Sequence, residues 1–358
     1  MQLDPIVYME WAKTRSRARI NLSRSGLADC SLSDLDLDRK DLEINGENSY
    51  GFPPLIEAIA SRYGVDEKNV VTVNGASQAI FFTCAALLEP GDEVLIEKPA
   101  YEPLLAVPRF FKAEIKRVER RFEDGYAVDP DQFQSVLSPR TKLVILTNLH
   151  NPSGALISEE AMTNLASAAG EEGAMVLVDE IYLEFLASKK EATGFHLADN
   201  IIVASSLTKV YGLGGLRCGW VLAPSFLIEK MKRLTDYVQV EGVFIGEQIS
   251  AKVFALLDSH RAKNRPAIEK NLALVRDFIA GEKKLRWVEP AHGIVCFPRI
   301  EARLDGNQLA RLLREKYETS VVPGHFFEEP RHFRLGFGVP TSLLEKGLEN
   351  IRKVLEDY

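Results

Sequence analysis

The sequence predicts an α/β fold: a large domain with a mostly parallel sheet flanked by helices, plus a smaller α+β C-terminal domain. Three features point there. The chain has 358 residues, a length suited to about two domains. From about residue 53 to 225, short apolar runs alternate with helical patterns, and the runs are apolar nearly throughout. Strands of that kind are covered on both faces, the habit of parallel sheets. Beyond Pro224 the pattern changes to long helical stretches and a short mixed segment. The predicted division is an N-terminal arm over 1–45 that belongs with the small domain, a large domain over 46–258, and a small domain over 259–358.

Pro53-Pro54 opens a helical pattern through Leu55, Ile56 and Ile59 that Gly64 closes. Strands are predicted over Val70–Val73, Glu93–Ile96, Leu143–Thr147, Met175–Val178 and Ile201–Ala204. Helices Ala76–Leu88 and Glu159–Ala169 lie between them. Helices Phe226–Val238, Phe244–Asp258 and about Arg265–Ala280 follow, then the α+β segment from Leu285 to Tyr358. There are no repeats, low-complexity tracts or linkers rich in Gly, Pro or Ser.

Hydrophobic residues make up 46% and charged residues 27%, ordinary for a globular protein able to bury a large core. The net charge of −7 argues against a nucleic-acid-binding surface. Cys30, Cys84, Cys218 and Cys296 form no CxxC pair, so reduced core thiols are expected. The six histidines show no metal-binding spacing. The first twenty residues hold no apolar stretch of signal-peptide length, and the Ala76–Leu88 segment is too short and polar to span a bilayer. A cytoplasmic protein without metal, nucleic-acid or membrane partners is the expectation.

In open α/β sheets, ligands bind at the carboxyl ends of the strands, and four polar clusters fall there. Asn74-Gly75-Ala76-Ser77 follows the first strand and opens a helix, whose free N–H groups suit a phosphate; an ordinary N-cap is the alternative. His150-Asn151-Pro152-Ser153-Gly154 reads equally as a turn or a binding loop. Asp179-Glu180-Ile181-Tyr182 follows the fourth strand. Asp179 either caps the next segment or, against a pyridine ring, holds the ring nitrogen protonated, with Tyr182 in reach of the ring hydroxyl.

The last cluster, Ser205 to Gly212 and on to Gly219, is the most informative. Lys209 follows the strand Ile201–Ala204 and points to the cleft. Buried lysines are rare because desolvating an ammonium is costly. The same desolvation lowers the lysine pKa, as a Schiff-base amine requires. Ser206, Thr208 and Arg217 supply donors for a phosphate. Arg217 occupies the last glycine position of a loose GxGxxG, which excludes a dinucleotide site.

The succession NGAS, Tyr101, HNPSG, DEIY, SSLTK and GLRCGW, from about Tyr50 to Phe337, closely resembles the class I/II aminotransferases, pyridoxal-phosphate enzymes of fold type I. The resemblance implies pyridoxal 5'-phosphate as cofactor, with Lys209 bonded to it as a Schiff base and then shuttling the substrate proton. It implies that Asp179 pairs with the ring nitrogen, Tyr182 and Asn151 bind the ring oxygen, and Tyr101 stacks on the ring. Gly75, Ala76, Ser77, Ser206, Thr208 and Arg217 would hold the phosphate. Tyr50 would reach the phosphate of the other subunit of a homodimer with shared sites. Arg334, with Asn151, would bind the substrate α-carboxylate, a task suited to a guanidinium.

Two segments depart from the family pattern. Leu22-Ser23-Arg24-Ser25-Gly26 stands for the usual L-x-x-G, so either Gly26 is shifted by one or Ser25 takes the place. Pro323-Gly324-His325-Phe326-Phe327-Glu328 replaces PGxxFG. Both lie where such enzymes contact substrate, so the substrate side chain is unread. Arg24 is a candidate for a distal acid; His150, His292 and His325 are read as structural. Amino transfer between an L-amino acid and a 2-oxo acid is the expected activity. A β-eliminating lyase on cysteine-type amino acids is the alternative. A non-catalytic effector-binding module is disfavoured because only about twenty residues precede the family-like part.

Overall fold

A computed structural model describes residues 4–35, 37–38, 42–186 and 193–358. Its centre is a seven-stranded sheet of β1 (Val70–Asn74), β2 (Glu93–Lys98), β3 (Glu114–Glu119), β4 (Thr141–Thr147), β5 (Met175–Asp179), β6 (Ile201–Ser206) and β7 (Cys218–Leu222). The spatial order is β1-β7-β6-β5-β4-β2-β3. Strand β7 is antiparallel to β1 and to β6, and the other neighbouring pairs are parallel. Two reversals restore the direction, so β1, β4, β5 and β6 all end at the same edge.

The central strands carry apolar residues at successive positions because alternate residues enter two cores. Val144, Leu146, Val176, Val178, Ile201 and Val203 face one side, where they meet helix Pro53–Tyr63 and helix Glu159–Glu171. Leu143, Ile145, Leu177, Ile202 and Ala204 face the other, against Ala76–Leu87 and Ser225–Val238. This is the two-sided burial the composition of the strands requires.

Two strands were not expected. Strand β3 reads Glu-Ile-Lys-Arg-Val-Glu and buries only Val118, as an edge strand with a polar rim does. Strand β7 begins inside the glycine-rich stretch that reads as loop, yet it is buried throughout. A methyl on Gly219 would lie 2.6 Å from the Gly75 Cα, so the crossing of β7 and β1 needs glycine there.

The helix expected over Phe244–Asp258 stops at Phe254, and the next begins at Leu257 rather than Arg265, running to Ala280 through Pro266. Pro266 is exposed, so its ring meets no core neighbour. Leu257 joins the large core, whereas Val275, Phe278 and Ile279 join the smaller one. The smaller core is built on Phe333–Gly336, flanked by Val295–Cys296 and Val322–Pro323, with helices Gly306–Tyr317 and Thr341–Glu356. The N-terminal strand Ile20–Asn21 pairs with Thr319–Ser320, and Leu22 is buried in the same core. Among the cysteines Cys84, Cys218 and Cys296 are buried and Cys30 is half-exposed; all four are free thiols, so Cys30 is not the core residue expected. No described helix is long and apolar enough to cross a membrane, and no described cluster of His, Cys, Asp and Glu suits a metal ion.

Candidate active site

A cavity of about 700 Å³ opens at the carboxyl edge of the sheet. It is lined by Ala76, Ser77, Tyr101, Asn151, Asp179, Tyr182, Ser206, Thr208, Lys209 and Arg217, residues from five separate stretches of sequence. Its outer wall is the N-terminal helix Val7–Thr14 and the strap Asn21–Ser25.

At the floor, Asp179 is buried and accepts the Ile181 N–H at 3.1 Å. Burial raises its pKa to about 6, against the opposing pull of the Ile181 N–H and the Lys209 charge. Lys209 stands three residues beyond the end of β6. Burial, reinforced by the Arg334 charge and opposed by Asp179, lowers its pKa to about 8. Its Nζ donates to Ser25 Oγ at 2.8 Å. The Tyr182 hydroxyl donates to the Ser25 carbonyl at 2.8 Å, and burial pushes its pKa up to about 12.

Asn151 is placed by a chain of buried contacts. Its N–H donates to Thr147 Oγ1 at 3.0 Å, and the Thr147 N–H donates to Glu97 at 2.7 Å. Glu97 in turn pairs with the fully buried Arg120 at 2.6 Å. The neighbouring His150 is also fully buried, with its ring nitrogens on Ser153 Oγ and the Pro99 carbonyl. Burial lowers its pKa far below the ordinary value, which suits a structural turn residue.

Arg334 lies behind the cavity wall rather than on it. Its Nη1 donates to Asn151 Oδ1 and its Nη2 to the Tyr8 hydroxyl, each at 2.9 Å. Nη2 also reaches the Ser23 carbonyl at 3.3 Å, while Nε has no partner among the described residues. Tyr8 thus stands between Arg334 and the cavity, its ring edge-on to Tyr101 with centroids 5.4 Å apart. Tyr8 is not among the residues the sequence motifs mark; the apolar spacing of Tyr8, Trp11 and Ala12 is the signal of the helix carrying it. The N–H groups of Val7 and Tyr8 donate to the Glu102 carboxylate, which anchors that helix beside Tyr101. The Tyr101 hydroxyl donates to Met9 Sδ at 3.1 Å.

Pyridoxal 5'-phosphate can be tested against these residues. No side chain caps helix Ala76–Leu87, so its first N–H groups are free for a phosphate. Gly75 turns into it with φ of 80°, and a Cβ there would lie 2.6 Å from Arg217 Nη2. Arg217 is oriented by the Asn74 carbonyl at 2.9 Å and has no carboxylate partner among the described residues. Ser206 and Thr208 also line the cavity. Asp179 is the one carboxylate among the described cavity-lining residues, set where a cationic ring nitrogen would find it. The residues fit the cofactor at both ends.

Tyr50 is not part of this chain's cavity. Its hydroxyl accepts from Arg233 at 2.8 Å on the surface. His292 and His325 line other depressions. Arg24 does line the cavity, while pairing with the exposed Asp29 at 2.7 Å.

The family model for aminotransferase class I and II matches residues 41–351. Capreomycidine synthase of Streptomyces vinaceus is 30% identical over 97% of this chain and 92% of its own length. A PLP-dependent aminotransferase from Streptococcus suis superposes with a TM-score of 0.94 at 25% identity, covering 100% of this chain and 99% of the other. The PLP-dependent cyclase OrfR superposes with a TM-score of 0.91 at 27% identity, covering 100% and 98%. The fold, the geometry of the cavity and these likenesses converge: the chain belongs to the class I and II aminotransferase family, whose cofactor is pyridoxal 5'-phosphate.

Proposed function

We propose that this enzyme moves the amino group of an L-amino acid to a 2-oxo acid, with Lys209 as its catalytic lysine. One observation carries the reading: a lysine amine and a carboxylate share one cavity, with pKa values drawn to about 8 and about 6. Groups titrating that close to neutrality suit proton transfer. When bound, the cofactor supplies an electron-withdrawing ring that stabilises negative charge at the substrate α-carbon.

The protein's part is binding and proton movement. Lys209 holds the cofactor through its Nζ and, once released, carries the proton taken from the α-carbon. Asp179 holds the ring nitrogen in its protonated form. Tyr182 and Asn151 bind the ring oxygen, and Tyr101 covers the ring face. Gly75, Ala76, Ser77, Ser206, Thr208 and Arg217 hold the phosphate, with Tyr50 of a second copy completing that end in a homodimer. Arg334, whose Nε is unpartnered, receives the substrate carboxylate with Asn151 once Tyr8 gives way. The wall near the N-terminal helix carries Lys13, and Arg24 paired with Asp29, and no carboxylate among its described lining residues, which favours an anionic or neutral substrate side chain over a cationic one.

A second reading is favoured by the likenesses to capreomycidine synthase and the OrfR cyclase. The same residues can withdraw the α-proton and then expel a substituent from the neighbouring carbon. A single-turnover screen of amino acids separates the two. Conversion of the cofactor to its pyridoxamine form without ammonia selects amino transfer. Ammonia, or a rearranged product with the pyridoxal form retained, selects the second reading. Lys209→Ala is expected to lose turnover by at least about a thousandfold and to lose the borohydride-fixed label; retained turnover would sink both readings.

A further inference from the structure

We infer that Ser25 is a positioning residue for the Lys209 amine, holding it through both of its protonation states. The inference rests on Lys209 being the catalytic lysine.

Ser25 Oγ lies 2.8 Å from Lys209 Nζ and is that amine's hydrogen-bond partner among the described residues. A hydroxyl both donates and accepts. It accepts an N–H of the ammonium, and it donates to the lone pair of the neutral amine. Asp179, by contrast, offers only acceptors while ionised, and no hydrogen bond joins it to Nζ. As Lys209 takes up the α-proton and returns it, the Ser25 hydroxyl turns and its own composition is unchanged. A long flexible side chain is thereby kept at one place in the interval when it is bonded to nothing else.

Ser25 is itself fixed. Its carbonyl accepts from Tyr182 at 2.8 Å. On one side, the Leu27 N–H donates to the Lys209 carbonyl at 2.9 Å. On the other, the Leu22 carbonyl accepts from Gly336 at 2.7 Å, and that of Ser23 from Arg334 at 3.3 Å. Gly26 packs on the lysine backbone, where an added Cβ would lie 3.5 Å from the Lys209 Cα. Of the two candidates for the departed L-x-x-G position, Ser25 faces the amine and Gly26 lies against the main chain.

The test uses Ser25→Ala, with Ser25→Gly as a second way to remove the hydroxyl. In the apoprotein, the pH midpoint for acylation of Lys209 is followed by mass spectrometry. In the holoenzyme, a single turnover is measured with ordinary and α-deuterated amino acid. Both variants should keep their melting temperature and cofactor content. The acylation midpoint should fall, because the charge-assisted bond lost to the ammonium is stronger than the bond lost to the neutral amine. The single-turnover rate should drop by about 10- to 100-fold with a larger primary isotope effect. An unchanged midpoint and an unchanged isotope effect in both variants would overturn the inference. Borohydride labelling of the wild type separates the two failures: a label elsewhere than Lys209 removes its premise, whereas a label on Lys209 with indifferent Ser25 variants removes only the role of Ser25.

Discussion

At the scale of single residues, the cavity floor is a pair of groups pushed toward neutrality by burial. A lysine whose pKa falls from 10.5 to about 8 leaves the folded protein with fewer bound protons than the unfolded chain between those values. Stability therefore rises with pH across that window, is fully present above 10.5, and is lost as pH falls through 8. The apoprotein should gain about 3 kcal/mol between pH 8 and 10.5 that Lys209→Met does not gain. Urea denaturation of both apoproteins at the two pH values checks this, and parallel curves would contradict it. Lys209 was legible because its strand, its polar loop and its position are adjacent in sequence. Ser25 was legible only as one of two alternatives, since its partner is 184 residues away and the strap has no periodicity of its own.

At the scale of elements, the phosphate end depends on how closely β7 crosses the start of helix Ala76–Leu87. Gly219→Ala places a methyl 2.6 Å from the Gly75 Cα and forces the two apart. A loss of about 1–3 kcal/mol is expected, with weaker cofactor retention because Gly75, Ala76 and Arg217 move with the strand. Gly215→Ala, whose methyl would meet nothing within 4 Å, should stay within about 0.5 kcal/mol. Thermal melts and cofactor titration of the two variants provide the comparison; equal behaviour would remove the crossing as the cause. Strand β7 itself was hidden in the sequence because Cys218-Gly219 reads as the end of a glycine-rich loop. Strand β3 was hidden because its charges mask a strand that buries a single valine.

At the scale of the whole molecule, the proposed homodimer needs an uncovered surface, and the segment from Tyr237 to Val243 offers one. Tyr237, Val240 and Val243 are 85%, 70% and 55% exposed there, an unusual concentration of bare apolar surface. Tyr50 is exposed as well, with the Arg233 guanidinium over its ring. If Tyr50 completes the phosphate end of a partner, then Tyr50→Phe and Lys209→Ala each impair the enzyme alone. Mixed subunits should recover part of the activity, because a mixed pair rebuilds one intact site. Absence of recovery, with mixed pairs demonstrated by mass, would contradict shared sites.

The sequence by itself determined the fold class, the five parallel strand segments it predicted, and the residues at their carboxyl ends. These are local properties: an apolar run followed by a polar cluster defines a strand and the loop at its edge, wherever the chain goes next. Only the tertiary structure decided what surrounds Lys209. It brought Ser25 to the amine, laid Tyr8 over Arg334, and set Arg334 behind the wall instead of on it. Those contacts join segments separated by 184 and 326 residues, and their energy comes from packing and paired buried polar groups. Such terms exist only once both segments are folded, so no spacing along the chain records them.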